Sequence, residues 1–231
     1  MTDILLIHGA LGAGDQLAPL APHLGGSRRV HTVELPGHGA TSIDGTFSIP
    51  AFVDSVADFL SASGIEAVSI FGYSMGGYIA LALAARSPER VRAIATLGTK
   101  LDWSPEIARR ETSRLDATTI RAKVPRFAEA LEVRHRAAGG WETLLARTSA
   151  LMTALGDAPA IDASTLATIA CPTRLMVGDR DATVSVDETR DAARRLARGE
   201  LAVLPATPHP FEQVRVPLLA TLLAEFFDAV G

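Results

Sequence analysis

The stretch from residue 67 to residue 77, AVSIFGYSMGG, decides the fold. Its apolar first half predicts a buried β-strand, and the residues that follow Ser74 predict a helix. A serine on the sharp turn between such a strand and helix directs its hydroxyl out of the sheet, beside the positive end of the helix. Glycines flank it because a Cβ there would collide with neighbouring elements. The stretch therefore predicts an α/β fold with Ser74 as a nucleophile.

Short apolar runs alternate with helical patterns on both sides of this stretch, which is typical of a parallel sheet covered by helices on both faces. The predicted strands are Ile4–His8, Arg29–Leu35, Ala67–Tyr73, Val91–Leu97, Thr173–Val177 and Leu201–Leu204. The predicted helices are Gln16–Leu24, Ala51–Ser63, Met75–Arg86, Glu188–Arg198 and a last one that begins near Phe211. Apolar residues at positions 214, 218, 222, 226 and 230 predict one stripe of that last helix that packs on the sheet.

Residues 101–159 interrupt the alternation with amphipathic helical patterns alone. We interpret this segment, called the cap below, as a small helical lid inserted into a core formed by residues 1–100 and 160–231. The mixed charges between Arg109 and Arg136 predict solvent-facing helix surfaces. The cap is expected to wall an apolar substrate pocket, whereas Phe127 and Met152 are expected to pack the cap onto the core. The predicted pocket-lining residues are Leu11, Tyr73, Trp103 and Trp141.

Size and charge exclude several classes of protein. The chain has 231 residues, of which 48% are hydrophobic and 21% charged, and its formal net charge is −4. This charge predicts neither a nucleic-acid partner nor an anionic membrane, and no apolar run approaches the length of a membrane span. The N-terminus passes straight into the first strand, so no signal peptide is expected. Cys171 is the only cysteine, which predicts a reducing, cytoplasmic environment.

Five motifs together resemble the α/β-hydrolase superfamily over nearly the whole chain. In chain order they are IHGALG (7–12), LPGHG (35–39), GYSMGG (72–77), CPT (171–173) leading to GDRD (178–181), and PHPFE (208–212). The resemblance implies that Ser74 is the nucleophile, Asp181 the acid and His209 the base. It also implies an oxyanion hole made of the backbone N–H groups of Ala10 and Met75. Pro208 departs from the family, which usually has glycine before this histidine.

The chain begins within three residues of its first predicted strand, whereas most superfamily members carry two further strands before it. We therefore expect a reduced, mostly parallel sheet of six strands, with helices on both faces. The edge at the first strand is expected to be poorly protected. An exposed edge can pair with another chain, which predicts a homodimer.

The chemistry of serine, histidine and a carboxylate supports these roles independently of the resemblance. A serine hydroxyl needs a neighbouring base to take its proton, and an imidazole suits this role because its pKa lies near neutrality. A carboxylate behind the imidazole fixes its tautomer. Each candidate follows a predicted strand, so the three are expected to meet at one edge of the sheet. Two alternatives remain for the acid: Asp179, for which capping of the turn is favoured, and Asp102, where some superfamily members carry their acid.

The other five histidines have simpler interpretations. His8 is interpreted as a structural hydrogen-bonding residue and His38 as a turn residue. His23, His31 and His135 are expected at the surface.

The first predicted function is a serine hydrolase that cleaves a small, largely apolar carboxylic ester through an acyl-enzyme. One alternative keeps the triad for a lyase or C–C bond hydrolase of a quinone or aromatic pathway, and another is a ligand-binding protein with a vestigial triad. Tyr78 weakens the quinone alternative, because menaquinone-pathway relatives carry arginine at this position. No metal is predicted, since His, Cys and acidic residues do not recur at metal-ligand spacing beyond what the composition supplies. No other cofactor is predicted either, because Gly9-x-x-Gly12 does not fit the dinucleotide-binding fingerprint.

Overall fold

The computed structural model of the protein describes residues 2–26 and 28–230. The strands are β1 (Thr2–Ile7), β2 (Arg28–Val33), β3 (Val68–Tyr73), β4 (Val91–Leu97), β5 (Thr173–Gly178) and β6 (Gly199–Leu204). They form one sheet in the order β2-β1-β3-β4-β5-β6, and every neighbouring pair is parallel. The predicted sheet is therefore confirmed, and each strand begins and ends within two residues of its expected bounds.

The prediction of an exposed first-strand edge is wrong. β1 lies inside the sheet, hydrogen-bonded to β2 on one side and to β3 on the other. The chain moves outward from β1 to β2 and then returns to β3, and this reversal places successive helices on opposite faces of the sheet. β2 forms the edge, where Arg29 and the half-buried His31 both pair with Asp3. The homodimer stays a prediction, which light scattering at micromolar concentration would test.

Helices cover both faces of the sheet. In the described residues they are α1 (Ala21–Leu24), α2 (Ile49–Ala62), α3 (Met75–Arg86), α4 (Pro105–Thr112), α5 (Ala117–Lys123), α6 (Pro125–His135), α7 (Trp141–Asp157), α8 (Ala163–Thr168), α9 (Val186–Ala193) and α10 (Val216–Val230). The buried residues of α2, α3, α8 and α9 share one hydrophobic cluster, and those of α1 and α10 share another. The sheet lies between these two clusters, as expected for strands buried on both faces.

The last helix differs from its prediction in start and in orientation. It begins at Val216, because a separate 3₁₀ turn occupies Phe211–Gln213. Its buried residues are Leu219, Ala220, Leu223, Phe226 and Phe227. Leu218 and Leu222 of the predicted stripe are only half-buried. A row of residues at four-residue spacing drifts around a helix that has 3.6 residues per turn, so the predicted stripe leaves the packed face.

Helices α4–α7 form the cap. They follow β4 in the chain, and α4 starts where Ser104 accepts a hydrogen bond from the N–H of Ile107, as an N-cap does. The cap has a small hydrophobic cluster of its own, composed of Ile120, Ala128, Leu131, Trp141 and Leu145. The division of the chain at residues 101 and 159 stays a prediction.

None of the described helices combines the length and apolar character needed to cross a membrane.

Candidate active site

Ser74 occupies a strained turn between β3 and α3. Its φ of 52° and ψ of −116° lie in a region that residues other than glycine rarely adopt. The turn is fixed to the segment around the end of β4: the Ser74 N–H donates to the Leu97 carbonyl at 2.8 Å, and the Thr99 hydroxyl donates to the Ser74 carbonyl at 3.0 Å. Tertiary hydrogen bonds thus hold the strained backbone conformation of Ser74, which is half-buried beside the cavity.

The turn requires glycine on both sides of the serine. A Cβ on Gly76 would overlap the carbonyl oxygen of Ile7 in β1, and a Cβ on Gly72 would overlap the backbone of Gly76 and Gly77. These are backbone contacts, so no side-chain rotation can relieve them. β1, β3 and α3 therefore approach one another closely, as the sequence pattern indicates, and Ser74 lies at the N-terminal end of α3.

The structure brings Ser74, His209 and Asp181 together. Ser74 Oγ lies 3.3 Å from His209 Nε2, and His209 Nδ1 lies 2.8 Å from Asp181 Oδ2. The other carboxylate oxygen of Asp181 accepts the N–H groups of Thr183 and Val184, each at 2.8 Å. Burial by itself would raise the pKa of Asp181, but the hydrogen bond from His209, the positive charge that this imidazole carries when protonated and the two N–H donors outweigh it and hold the pKa below its ordinary value.

The proton positions follow from this geometry. An ionised Asp181 accepts a hydrogen bond from His209 Nδ1–H, so the neutral imidazole presents an unprotonated Nε2 to the Ser74 hydroxyl. The arrangement can take a proton from Ser74 and stabilise the imidazolium that forms. It has the geometry of an activated nucleophile.

Tyr73 holds the histidine loop in place, a role that the sequence did not indicate. Its hydroxyl donates to the main-chain carbonyl of His209 at 2.7 Å. Gly98 lies close to His209 and Asp181: a Cβ there would be 3.2 Å from both the His209 ring and the Asp181 carboxylate. Burial raises the pKa of Tyr73, so its hydroxyl stays protonated as a donor. These contacts stabilise the loop in which Pro208 replaces the more usual glycine.

The two alternative acids lie elsewhere. Asp179 accepts the N–H of Thr207 at 3.1 Å and so caps the turn, as expected for it. Asp102 is exposed, and its N–H donates to Glu188 at 2.9 Å. Among the described hydrogen bonds, the carboxylate that contacts His209 is that of Asp181.

Ala10 and Met75 lie beside the serine. Met75 is the first residue of α3, where a helix has no internal acceptor for its N–H. Ala10 lies in the loop that begins at His8, directly after β1. Within the part of the chain that the structure describes, neither N–H donates to a protein acceptor. Both residues line the same cavity as Ser74, and the oxyanion hole made of their N–H groups stays a prediction.

A cavity of about 660 Å³ separates the serine from the cap. Three of the four predicted lining residues border it, namely Leu11, Tyr73 and Trp103. The prediction for Trp141 is wrong: its side chain is 1% exposed and belongs to the hydrophobic cluster of the cap, with the Arg121 guanidinium 4.9 Å above its ring. As the first residue of α7, Trp141 faces α5 and α6 rather than the cavity.

Phe127 and Met152 line the cavity, although packing was expected for both. Phe127 is 41% exposed, so it contributes little to the packing of the cap. The expectation of solvated charges also fails for Glu111, which is buried and pairs with Arg110 and Arg114 at the cavity wall. The small hydrophobic cluster of the cap includes neither Phe127 nor Met152, and both side chains border the cavity instead.

Two of the histidine predictions, for His8 and His38, agree with the structure, whereas the one for His135 does not. His8 and His38 are buried and hydrogen-bonded to nearby main chain, as expected of structural residues. The prediction of His135 at the surface is wrong. The residue is 0% exposed and contacts the main chain of Leu11 and Gly39. Its position at the last turn of α6 is typical of a solvated residue, and only the docking of the cap buries it. The described residues contain no group of three or more His, Cys, Asp or Glu side chains arranged to hold a metal ion.

Comparison with known proteins adds to this geometry. The family model described as alpha/beta hydrolase fold matches residues 3–132. The chain is 32% identical over 234 aligned residues to the pimeloyl-[acyl-carrier protein] methyl ester esterase of Chromobacterium violaceum, which covers 90% of this chain and 88% of that protein. It is 33% identical over 88 residues to esterase YbfF of Escherichia coli, over 38% of this chain and 35% of that one.

The same fold recurs in solved structures. The meta-cleavage product hydrolase from Pseudomonas fluorescens IP01, determined as a mutant complexed with acetates, superposes with a TM-score of 0.84. The match covers 100% of this chain and 92% of that chain at 22% sequence identity. At this identity the likeness concerns the fold alone, and the activity of that hydrolase does not transfer with it.

Proposed function

Because the chain belongs to the α/β hydrolase fold family, we propose that it is a serine hydrolase that cleaves carboxylic esters through an acyl-enzyme on Ser74. The predicted fold and family are confirmed, and the predicted class of enzyme, an ester hydrolase, agrees with esterase relatives. The observation that carries the proposal is the continuous series of hydrogen bonds from Ser74 through His209 to Asp181.

Acylation begins when Ser74 Oγ attacks the ester carbonyl carbon while His209 Nε2 takes the hydroxyl proton. Asp181 stabilises the imidazolium. The carbonyl oxygen becomes an oxyanion that accepts the N–H groups of Ala10 and Met75, and each such donor contributes about 3 kcal/mol in the transition state. The tetrahedral intermediate collapses as His209 returns the proton to the leaving alcohol, which leaves the acyl group on Ser74.

Deacylation repeats the same steps with water. His209 takes a proton from the water as its oxygen attacks the acyl carbonyl, and the oxyanion again accepts the two N–H groups. Collapse of the second intermediate releases the carboxylic acid and returns the proton to Ser74 Oγ. One base thus serves both half-reactions.

The cavity supports a substrate whose acyl part is largely apolar. Its volume of about 660 Å³ lies in the range of small-molecule sites. Leu151, Leu155, Met152 and Phe127 border it on the cap side. The relative from Chromobacterium violaceum is named for a methyl ester, so methyl esters of medium-chain acids are the first natural class to examine.

A fluorophosphonate probe tests the mechanism directly. We expect labelling of the native protein that disappears in Ser74→Ala, together with hydrolysis of p-nitrophenyl esters whose rate depends on acyl length. The matched control is Ser63→Ala, since Ser63 is exposed at the end of α2. Absence of both labelling and turnover, with ligand-dependent thermal stabilisation, would instead identify a binding protein.

A cytoplasmic location is also proposed from the single cysteine, Cys171, which is half-buried and whose pKa is raised by burial. Fractionation of the producing cell with an antibody to the protein would test it. Recovery outside the cytoplasmic fraction would contradict the proposal.

A further inference from the structure

The direction of the Ala10 N–H depends on the peptide group that contains it. That N–H shares a planar trans peptide with the Gly9 carbonyl, so the two point in opposite directions. The Gly9 carbonyl accepts two hydrogen bonds, from His8 Nδ1 at 2.8 Å and from the Gly12 N–H at 3.1 Å. These donors fix the peptide on its far side and aim the Ala10 N–H away from them.

The cap also contacts this loop, at Leu11, the residue after Ala10. The Leu11 carbonyl accepts a hydrogen bond from His135 Nε2 at 3.0 Å, and a longer one from Arg134 Nη1 at 3.3 Å. Leu11 has a φ of 60°, a left-handed conformation that costs free energy for a residue other than glycine. Such a conformation persists only where surrounding contacts hold it.

The tautomer of His135 follows from its second contact. The Gly39 N–H donates to His135 Nδ1 at 3.0 Å, so Nδ1 is the acceptor and the proton lies on Nε2, which donates to Leu11. This double role requires the neutral ring, and burial lowers the pKa of His135 accordingly. The imidazole therefore joins the turn at Gly39, the loop at Leu11 and the last turn of α6.

We propose that His135 is a positioning residue for the oxyanion hole: its Nε2–H holds the Leu11 carbonyl and thereby keeps the Ala10 N–H aimed at the developing oxyanion. This inference rests on the proposed ester hydrolysis. His135 touches no reacting atom, so it acts through the loop. The Leu11 carbonyl shares a planar peptide with the Gly12 N–H, which donates to the Gly9 carbonyl. When the His135 Nε2–H is removed, Leu11 can relax toward negative φ. The Gly12 N–H then leaves the Gly9 carbonyl, and the Ala10 N–H is no longer held in its direction.

Three substitutions separate this role from simple anchoring of the cap. His135→Gln keeps an N–H donor near the position of Nε2, and His135→Asn keeps an acceptor near the position of Nδ1 for the Gly39 N–H. His135→Ala removes both. The matched control is His23→Ala, because His23 is exposed on α1. If His135→Ala does not fold, the comparison of Gln with Asn carries the test.

The measurements are kcat and KM for a p-nitrophenyl ester, and inhibition by a trifluoromethyl ketone and a methyl ketone of equal chain length. The trifluoromethyl ketone forms a hemiketal: Ser74 Oγ bonds to its carbonyl carbon, the serine proton passes to His209, and the resulting oxyanion occupies the oxyanion hole. The methyl ketone binds the same pocket with little adduct. Only the first inhibitor therefore reports on the oxyanion donors.

We expect His135→Ala and His135→Asn to lower kcat about 10- to 100-fold with KM changed less than about threefold, and to weaken the trifluoromethyl ketone alone. His135→Gln should recover most of the loss, and His23→Ala should match the native enzyme. Unchanged kcat in His135→Ala, equal weakening of both ketones, or equal behaviour of Asn and Gln would overturn the inference. A native protein without turnover or probe labelling would overturn the proposed function itself, and this inference with it.

Discussion

The two walls of the cavity are built in different ways. On the core wall, Ser74 and His209 follow strands, as does Asp181 behind them, and main-chain hydrogen bonds and glycine contacts hold these residues. On the cap wall, helices α6 and α7 present side chains such as the 41% exposed Phe127 and Met152. Backbone contacts give positional precision, whereas exposed side chains give shape that can vary. We therefore expect core-wall changes to act on kcat and cap-wall changes to act on KM and on substrate choice.

Loss of the nucleophile is the largest effect expected at the core wall. Ser74→Ala should lower kcat by about 10⁴- to 10⁶-fold, because a triad without its serine keeps only the catalysis of the oxyanion hole and binding. The measurement is hydrolysis of a p-nitrophenyl ester, with Ser63→Ala as control. A fall of only about tenfold would place the nucleophile elsewhere and break the comparison.

The acid comes next. Asp181→Asn should lower kcat by about 10³- to 10⁴-fold, because the amide cannot stabilise the imidazolium and favours the wrong tautomer of His209. The control is Asp102→Asn, since Asp102 is exposed and is bonded through its N–H to Glu188. Equal losses in the two variants would contradict the assignment of the acid.

The same carboxylate makes stability depend on pH. The folded-state pKa of Asp181 lies below its ordinary value, so its contribution is complete above about pH 4, near the pKa of an unfolded aspartate, and is lost as pH falls through the lowered folded-state pKa. The Tm of the native enzyme should therefore fall more steeply than that of Asp181→Asn below about pH 4. Thermal melts between about pH 7 and pH 3 measure this difference. Parallel curves would show that protonation of Asp181 does not contribute to the pH dependence of stability.

Trp141 and Trp103 test whether the cap has a structural and a substrate-facing side. Trp141→Ala empties the small core of the cap, and we expect it to lower the free energy of unfolding by about 3–5 kcal/mol. Trp103→Ala should cost less, about 1–2 kcal/mol, and raise KM, because Trp103 is half-buried at the cavity. Urea unfolding and steady-state kinetics on both variants decide the matter. A raised KM with little loss of stability in Trp141→Ala, and the larger loss of stability in Trp103→Ala, would mean that Trp141 shapes the pocket.

The smallest effect on stability is expected at Phe127. Phe127→Ala should change the free energy of unfolding by less than about 1 kcal/mol and shift the best acyl chain to a longer one, with KM changes of about twofold to tenfold. Val133→Ala is a matched control, since Val133 lies on the same helix, is 72% exposed and does not border the cavity. A p-nitrophenyl ester series from acetate to decanoate measures the shift. An unchanged chain-length profile would show that the core wall sets specificity as well.

Sequence reasoning reached the core wall and missed much of the cap. The period of the apolar runs and the Gly-x-Ser-x-Gly pattern were sufficient for the sheet and for Ser74, because these are local features that the backbone itself requires. The cap helices could be recognised by their periodicity, but the faces that Trp141, Phe127 and Met152 present depend on how four helices pack together. The burial of His135 depends on the same packing, and no local signal marks it.

The amino-acid sequence by itself determined the parallel α/β sheet and the serine turn, and the resemblance of its motifs to the α/β-hydrolase superfamily implied the order of the three candidate catalytic residues. Strand and helix periods, glycines at close approaches and strand ends are all encoded within a few neighbouring residues. Only the tertiary structure decided that Asp181 rather than Asp179 or Asp102 meets His209, and that His135 closes on the loop after β1. Contacts between segments more than one hundred residues apart, such as His135 with Leu11, depend on docking angles that local pattern does not contain.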